Sequence, residues 1–369
     1  MKRTLAIVFT YILFISSAVE AGTENRNPVY IFLFIGDGMG VNQYIAAHRN
    51  GLTPNIDSFP LSGEVTTHAY KNTVTDSAAA ATAISTGVKT RNETLGLDSD
   101  GKRVESISDA AINSGFSVGI ISTMSLNHAT PAAFYAHLKS RKSYYEIGLQ
   151  LVSSNIDYFG GGGFYHHRGK DKNKMSLYTL AEQSGYKIFM NGEIPDTDNL
   201  RGKRNKIISV NPILRSDACM PYFESRPNNG RTLADFVKEA IQILSDNIIG
   251  FLIITEGGNI DYACHDNNFS RMLHEMADFD HAIFEALNFY NTRPENTLII
   301  VTGDHETGGL YLVPKDPNTV KWSTKYHTGA HVPIFTIGVK SGVFYRSSGV
   351  IDNTDIAKIL FGLIVDGID

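Results

Sequence analysis

The sequence predicts an α/β protein built on a doubly wound, mostly parallel sheet with helices on both faces. Three observations carry that expectation. Short apolar runs recur along the chain, stretches of helical spacing separate them, and several runs are followed at once by an acidic residue. Strands that alternate with helices are buried on both faces, so they read as unbroken apolar runs. With 369 residues, 42% hydrophobic and 19% charged, the chain is long enough for a sizeable core, in one large domain or two smaller ones.

The first element stands apart from that fold. Met1 to Ala21 opens with Lys2 and Arg3, continues through the apolar run Leu5 to Ile15, and ends in Val19-Glu20-Ala21. This is the pattern of a signal peptide over 1–21, cleaved before Gly22, and the apolar run is too short to serve as a membrane span. The remaining chain, 22–369, is read as a single domain in a periplasmic or secreted protein, with no stable membrane anchor. Buried parallel strands are expected at Tyr30–Ile35, Ser117–Ile121, Phe251–Ile254, Leu298–Val301 and Pro333–Ile337. Helices are expected at Ser77–Ser85, Ser106–Ser114, Leu233–Leu244, Met272–Phe289 and Asp355–Ile364. The stretch from about residue 160 to 230, opening on Gly160-Gly161-Gly162-Gly163, reads as a loop-rich excursion without a core of its own. His166-His167 lies in it and is taken as an exposed loop.

Formal net charge is −5, and loss of a leader carrying Lys2, Arg3 and Glu20 makes the chain slightly more acidic. A surface that grips nucleic-acid backbone needs clustered basic residues, so none is expected. Cys219 and Cys264 are read as free thiols, although an exported chain could pair them.

The acids that follow strands carry the chemistry. Asp37 follows Tyr30–Ile35, Glu256 follows Phe251–Ile254 and Asp304 follows Leu298–Val301. Ligands of open α/β sheets bind at the carboxyl ends of strands, so these acids can converge on one crevice. Singly, each is better explained as a helix cap or turn residue; three together, with histidines nearby, point to metal. Asp261 and His265 are spaced for one face of a helical turn, Asp304-His305 offers adjacent oxygen and nitrogen, and His327 opens a His-Thr-Gly turn. Imidazole with carboxylate suits zinc, and carboxylate with hydroxyl suits magnesium. His48, His68, His137, His274 and His281 have no such setting and are read as ordinary. Thr75-Asp76-Ser77 precedes a run of alanines, which places Ser77 at a helix start where free N–H groups favour phosphate. That segment by itself is better explained as an ordinary N-cap.

Taken in order, Gly36-Asp37-Gly38-Met39-Gly40, Thr75-Asp76-Ser77-Ala78-Ala79, His128-Ala129-Thr130-Pro131, Ser140-Arg141-Lys142, Glu256 through His265, Asp304-His305 and His327-Thr328-Gly329 resemble the motifs of the alkaline phosphatase family. The resemblance spans residues 30 to about 340, and suggests a compact, bacterial-type member. It implies a phosphomonoesterase with two zinc ions and one magnesium. Asp261, His265 and His327 resemble the ligands of the first zinc, with His331 the rival of His327. Asp37, Asp304 and His305 resemble those of the second, beside the nucleophile Ser77. Asp37 would also reach magnesium, shared with Thr130 and Glu256. Arg141 would clamp phosphate oxygens, with Asp76 orienting it. His128 stands where some members carry aspartate near magnesium. Tyr262 stands on the substrate side where lysine, histidine or tryptophan is familiar. The 21 residues between His305 and His327 form a short crown at about 306–326, and the resemblance implies a homodimer. A phosphodiesterase or mutase on the same metal scaffold is the nearest rival reading; Ser77 and Arg141 favour monoesters.

Overall fold

The structure, a computed structural model, describes residues 27–200, 205–313, 319–345 and 347–365. The leader at 1–21 lies outside the described residues, as does the crown segment 314–318. The strands in chain order are β1 (Tyr30–Gly36), β2 (Leu61–Thr66), β3 (Ser117–Ser122), β4 (Tyr158–Gly161), β5 (Tyr186–Phe189), β6 (Lys206–Val210), β7 (Phe251–Glu256), β8 (Thr297–Gly303), β9 (Glu306–Thr307), β10 (Leu310–Leu312), β11 (Val320–Trp322), β12 (His327–Thr328), β13 (Val332–Gly338) and β14 (Val350–Asp352). Ten of them form one sheet in the order β14-β2-β13-β8-β1-β7-β3-β4-β6-β5.

Side chains of β1 alternate between two cores. Ile31, Leu33 and Ile35 enter one and Phe32 and Phe34 the other, all fully buried. The first core is closed by the helices Ser77–Thr86, Ile107–Asn113 and Asn353–Val365, and the second by Val41–Arg49, Leu233–Leu244 and Phe269–Thr292. A strand covered on both faces has no polar side, which explains its unbroken apolar sequence. Helix starts follow from local caps. Ser106 with Asp109 and Thr232 with Asp235 form reciprocal capping boxes. The Asn268 side chain accepts from Arg271 N, so the helix read from Met272 begins three residues earlier, at Phe269.

Two expectations are corrected. Pro333–Ile337 was expected to run parallel, but β13 pairs antiparallel with β8 on one side and β2 on the other. Among the described residues between β8 and β13 there is no crossover helix, and an antiparallel return needs none. The stretch read as a loop-rich excursion supplies the β6 and β5 edge of the same sheet, next to β4. Gly161 ends β4 at φ +116°, and a Cβ there would lie 1.9 Å from the Ser122 carbonyl. The glycine run is thus a close strand exit, not a loop.

Candidate active site

Sheet register assembles the site. β8, β1, β7 and β3 are neighbours, with Gly36 opposite Gly303 and Ile35 opposite both Thr302 and Glu256. Asp37 and Asp304 therefore leave adjacent strands at the same level, and Glu256 ends the next strand over. Ser122, at the end of β3, lies opposite Glu256 and donates its hydroxyl to it.

Three groups of donor atoms result, each within 4.8 Å: Asp37, Asp304 and His305; Asp261, His305 and His327; and Asp37, His128 and Glu256. His305 Nε2 lies 3.3 Å from Asp37 Oδ1 and from Asp304 Oδ2, and 3.2 Å from Ser77 Oγ. Thr130 donates to Asp37 Oδ2 at 3.4 Å. His265 sits on the outer side, its Nε2 3.2 Å from Asp261 Oδ2 and 3.2 Å from His327 Nε2. His331 is elsewhere, on an exposed ion pair with Glu64 at 2.8 Å.

His265, His305 and His327 share one arrangement. His327 Nδ1 donates to Thr75 O, His265 Nδ1 to Lys325 O, and His305 Nδ1 to Thr307 Oγ1, whose own hydroxyl goes to Asp261. With Nδ1 engaged in this way, each ring turns its Nε2 into the site, the atom a metal ligand must present. Buried Asp37 Oδ1, Asp304 Oδ2, Glu256 Oε1 and His128 Nδ1 have no hydrogen-bond partner. Orphaned, buried carboxylate oxygens are costly, and a cation is the group that satisfies several at once.

Electrostatics agree. Burial first, then the neighbouring carboxylates, pushes Asp37 well above its ordinary range, and burial does the same to Asp304. Burial raises Glu256 to about 7. For Asp261, burial is outweighed by the His265 hydrogen bond and the fields of His305 and His327, which hold it low. Burial, then Arg141, lowers His128 to about 3, so its imidazole is neutral.

Ser77 opens its helix and is 2% exposed. The preceding Asp76 does two jobs: Oδ1 accepts from Ala79 N at 3.0 Å as the helix cap, and Oδ2 accepts from Glu93 N and from Arg141 Nη1 at 3.2 Å. The second Arg141 amine reaches His128 Nε2 at 3.3 Å. Burial opposes the Arg141 charge, but Asp76 and Asp37 more than restore it. Tyr262 meets His128 edge-on, ring centroids 6.3 Å apart.

Residues 28–317 match the family model described as alkaline phosphatase. The chain belongs to the alkaline phosphatase family. It is 36% identical to alkaline phosphatase 4 of Bacillus subtilis over 80% of its length, a match spanning 65% of that relative. It is 28% identical to alkaline phosphatase 3 of the same organism, over 94% of this chain and 91% of the relative. Among solved structures, alkaline phosphatase from the Antarctic bacterium TAB5 superposes with a TM-score of 0.83 at 32% identity, covering 92% of this chain and 98% of that one. A histidine-to-aspartate variant of the TAB5 enzyme, described with magnesium bound in its M3 site, matches with the same score and identity and covers 99% of that chain.

The structure brings every family-implied site residue into this one crevice. It also adds some that sequence reasoning missed. Ser122 and Thr307 hold Glu256 and Asp261; their only sequence signal is a hydroxyl at a strand end beside a ligand motif. Glu306 gathers the crown, accepting from Gln43 Nε2, Leu310 N, Gly309 N and Thr328 Oγ1. Cys219 and Cys264 are both buried free thiols.

Proposed function

We propose that this chain hydrolyses phosphate monoesters by attack of Ser77, through a covalent phosphoseryl enzyme, with two zinc ions and one magnesium as its cations. The observation that carries the reading is the set of orphaned carboxylate oxygens beside the Ser77 hydroxyl, with the Arg141 guanidinium across from them. Four buried acids and a single arginine would repel a phosphate dianion unless cations were present. The donor sets fit: Asp261, His265 and His327 would hold one zinc; Asp37, Asp304 and His305 the other; Asp37, Thr130 and Glu256 the magnesium, with His128 at its edge. Bound there, the cations lower the pKa of Ser77 and neutralise charge on the transferring group.

The chain's own residues do the rest. The helix start at Ser77 points backbone N–H groups at the phosphate, and Asp76 caps that helix while fixing the plane of Arg141. Arg141 pairs with two phosphate oxygens, which favours the dianionic monoester over a diester. The half-buried Tyr262 flanks His128 at the mouth. His128 is a softer neighbour for magnesium than a carboxylate, and the magnesium-bound aspartate variant of the TAB5 enzyme supports that view. Export by the leader and assembly as a homodimer belong to the same proposal; among the described residues no helix is long and apolar enough to cross a membrane.

The test is turnover of p-nitrophenyl phosphate before and after exhaustive chelation, with metal content measured. Activity should vanish with the metals and return with zinc plus magnesium. Full activity in demonstrably metal-free protein would overturn the proposal.

A further inference from the structure

A turn absent from the sequence motifs lies beside the ends of β3 and β4. It runs from Arg215 to Cys219, closed by Arg215 N to Cys219 O at 2.8 Å and by Ala218 N to Arg215 O at 2.9 Å. Ala218 takes φ +62° to make it, a conformation that alanine adopts only where its surroundings insist. Two contacts do so: Ala218 O accepts from Gly163 N, and Met220 N donates to Thr123 O. The turn is thereby tied to the ends of β4 and β3, beside the site.

Each of the three nitrogens of the Arg215 guanidinium has a partner. Arg215 forks onto Asp217 at 3.3 and 3.0 Å, and its third amine reaches Asn259 Oδ1 at 3.1 Å, two residues before Asp261. The plane also lies 4.4 Å from the Tyr222 ring centroid and 5.2 Å from that of Tyr262. Tyr222 carries a second guanidinium, Arg271, at 4.1 Å. Cations and rings therefore alternate from Arg271 through Tyr222 and Arg215 to Tyr262, which meets the His128 ring, whose Nε2 lies 3.3 Å from Arg141. Among the described residues the Tyr262 side chain has no hydrogen bond, so ring contacts are what fix it, while the His128 side chain is held by Arg141 at Nε2, its Nδ1 being unpartnered.

We propose that Arg215 is a positioning residue for phosphate binding, holding Tyr262 and, through it, the His128 edge against which Arg141 is set. This rests on the reading of Arg141 as the phosphate clamp. A planar guanidinium between rings restrains their tilt as well as attracting them, which a point-charge ammonium does not.

The test uses metal-saturated enzyme with zinc and magnesium contents matched. Wild type, Arg215→Met, Arg215→Lys, Tyr262→Leu and the Met/Leu double variant are compared for kcat, KM on p-nitrophenyl phosphate and Ki for inorganic phosphate. Arg215→Met should raise Ki and KM together by roughly three- to ten-fold, the loss of one partly buried cation–ring contact, with a smaller change in kcat. Arg215→Lys should recover only part, and the double variant should be no weaker than the weaker single one. An unchanged Ki in Arg215→Met, full recovery in Arg215→Lys, or additive losses would overturn the proposal. If Arg215→Met does not fold, Tyr222→Leu removes the ring from the other side and should raise Ki in the same direction; no change there is equally fatal. Arg141→Ala separates the two readings: a wild-type Ki in that variant refutes the clamp itself, whereas a raised Ki there with none in Arg215→Met refutes only the role of Arg215.

Discussion

Glu306 is the residue whose loss should reveal how the crown is fastened to the site. Its carboxylate is 3% exposed and accepts from Gln43 Nε2 at 2.6 Å, Leu310 N at 3.1 Å, Gly309 N at 3.2 Å and the Thr328 hydroxyl. Its stem packs on Gly40 so closely that a Cβ there would sit 2.3 Å from Glu306 Cγ. In Glu306→Ala, the buried Leu310 N–H and one of the two N–H groups of buried Gln43 lose their acceptor, although Gln43 Nε2 keeps its bond to Thr307 O. Two such donors at about 1–3 kcal/mol each give a loss of roughly 2–6 kcal/mol, a large share of a stability of about 5–15 kcal/mol. Urea unfolding of metal-free protein should show a lower midpoint at unchanged slope. β9 pairs with β12 through Thr307 and His327, so zinc should leave the Asp261–His327 position before the Asp37–Asp304 position, as equilibrium dialysis would report. Glu306→Gln, which keeps one acceptor oxygen, should fall between. Stability within about 0.5 kcal/mol of wild type in Glu306→Ala would refute this and show that the crown holds without the carboxylate.

Other outcomes follow from the same geometry. Ser77→Ala should lose several orders of magnitude in turnover and all phosphoserine trapping in acid-quenched mass spectrometry; a trapped phosphoenzyme in that variant would place the nucleophile elsewhere. His128→Asp should tighten magnesium and slow its loss on dilution, read by titration at fixed zinc, because a carboxylate suits a hard cation better than a neutral imidazole; equal affinities would remove His128 from that ion's surroundings. Glu256 is raised in the folded state to about 7, so its burial weakens the metal-free fold as pH climbs from the ordinary carboxylate range to about 7. Magnesium affinity should climb over that same window, since only the carboxylate binds the ion. Thermal unfolding of chelated protein that is flat across the window would contradict this.

Most of the central sheet was legible because its strands are covered on both faces and leave nothing polar to blur them. The edges were not. β5 at one end is four residues long with half-exposed positions, and β4 ends in glycines that imitate a loop. The direction of β13 could not be read, since an apolar run looks the same parallel or antiparallel. At the site, Asp37, Glu256 and Asp304 were visible by their place after strands, and Asp261 with His265 by helical spacing. His327 is different: it arrives on a two-residue strand, and nothing in its own neighbourhood separates it from His331 except the family motif. Arg215 and Glu306 were invisible because the partners that tie each to the site lie far away in sequence, Gln43 for Glu306 and Asn259 and Tyr262 for Arg215.

The order of strands in the sheet also sets the order in which this protein can be made. β1 is the first strand of the sheet to be synthesised, yet both of its partners, β7 and β8, begin only at Phe251 and Thr297. At about 5–20 residues per second a ribosome needs on the order of ten seconds or more to cover that interval. Throughout it, the segment Tyr30–Gly36 has no native neighbour, and it carries the aromatic and β-branched composition that pairs readily with the wrong one. The nascent chain must therefore be shielded or kept unfolded until its last third emerges. Asp304 and His305 come later still, so the crevice cannot exist on a growing chain. The donor sets that use Asp304, His305 and His327 can take up a cation only after those residues have emerged.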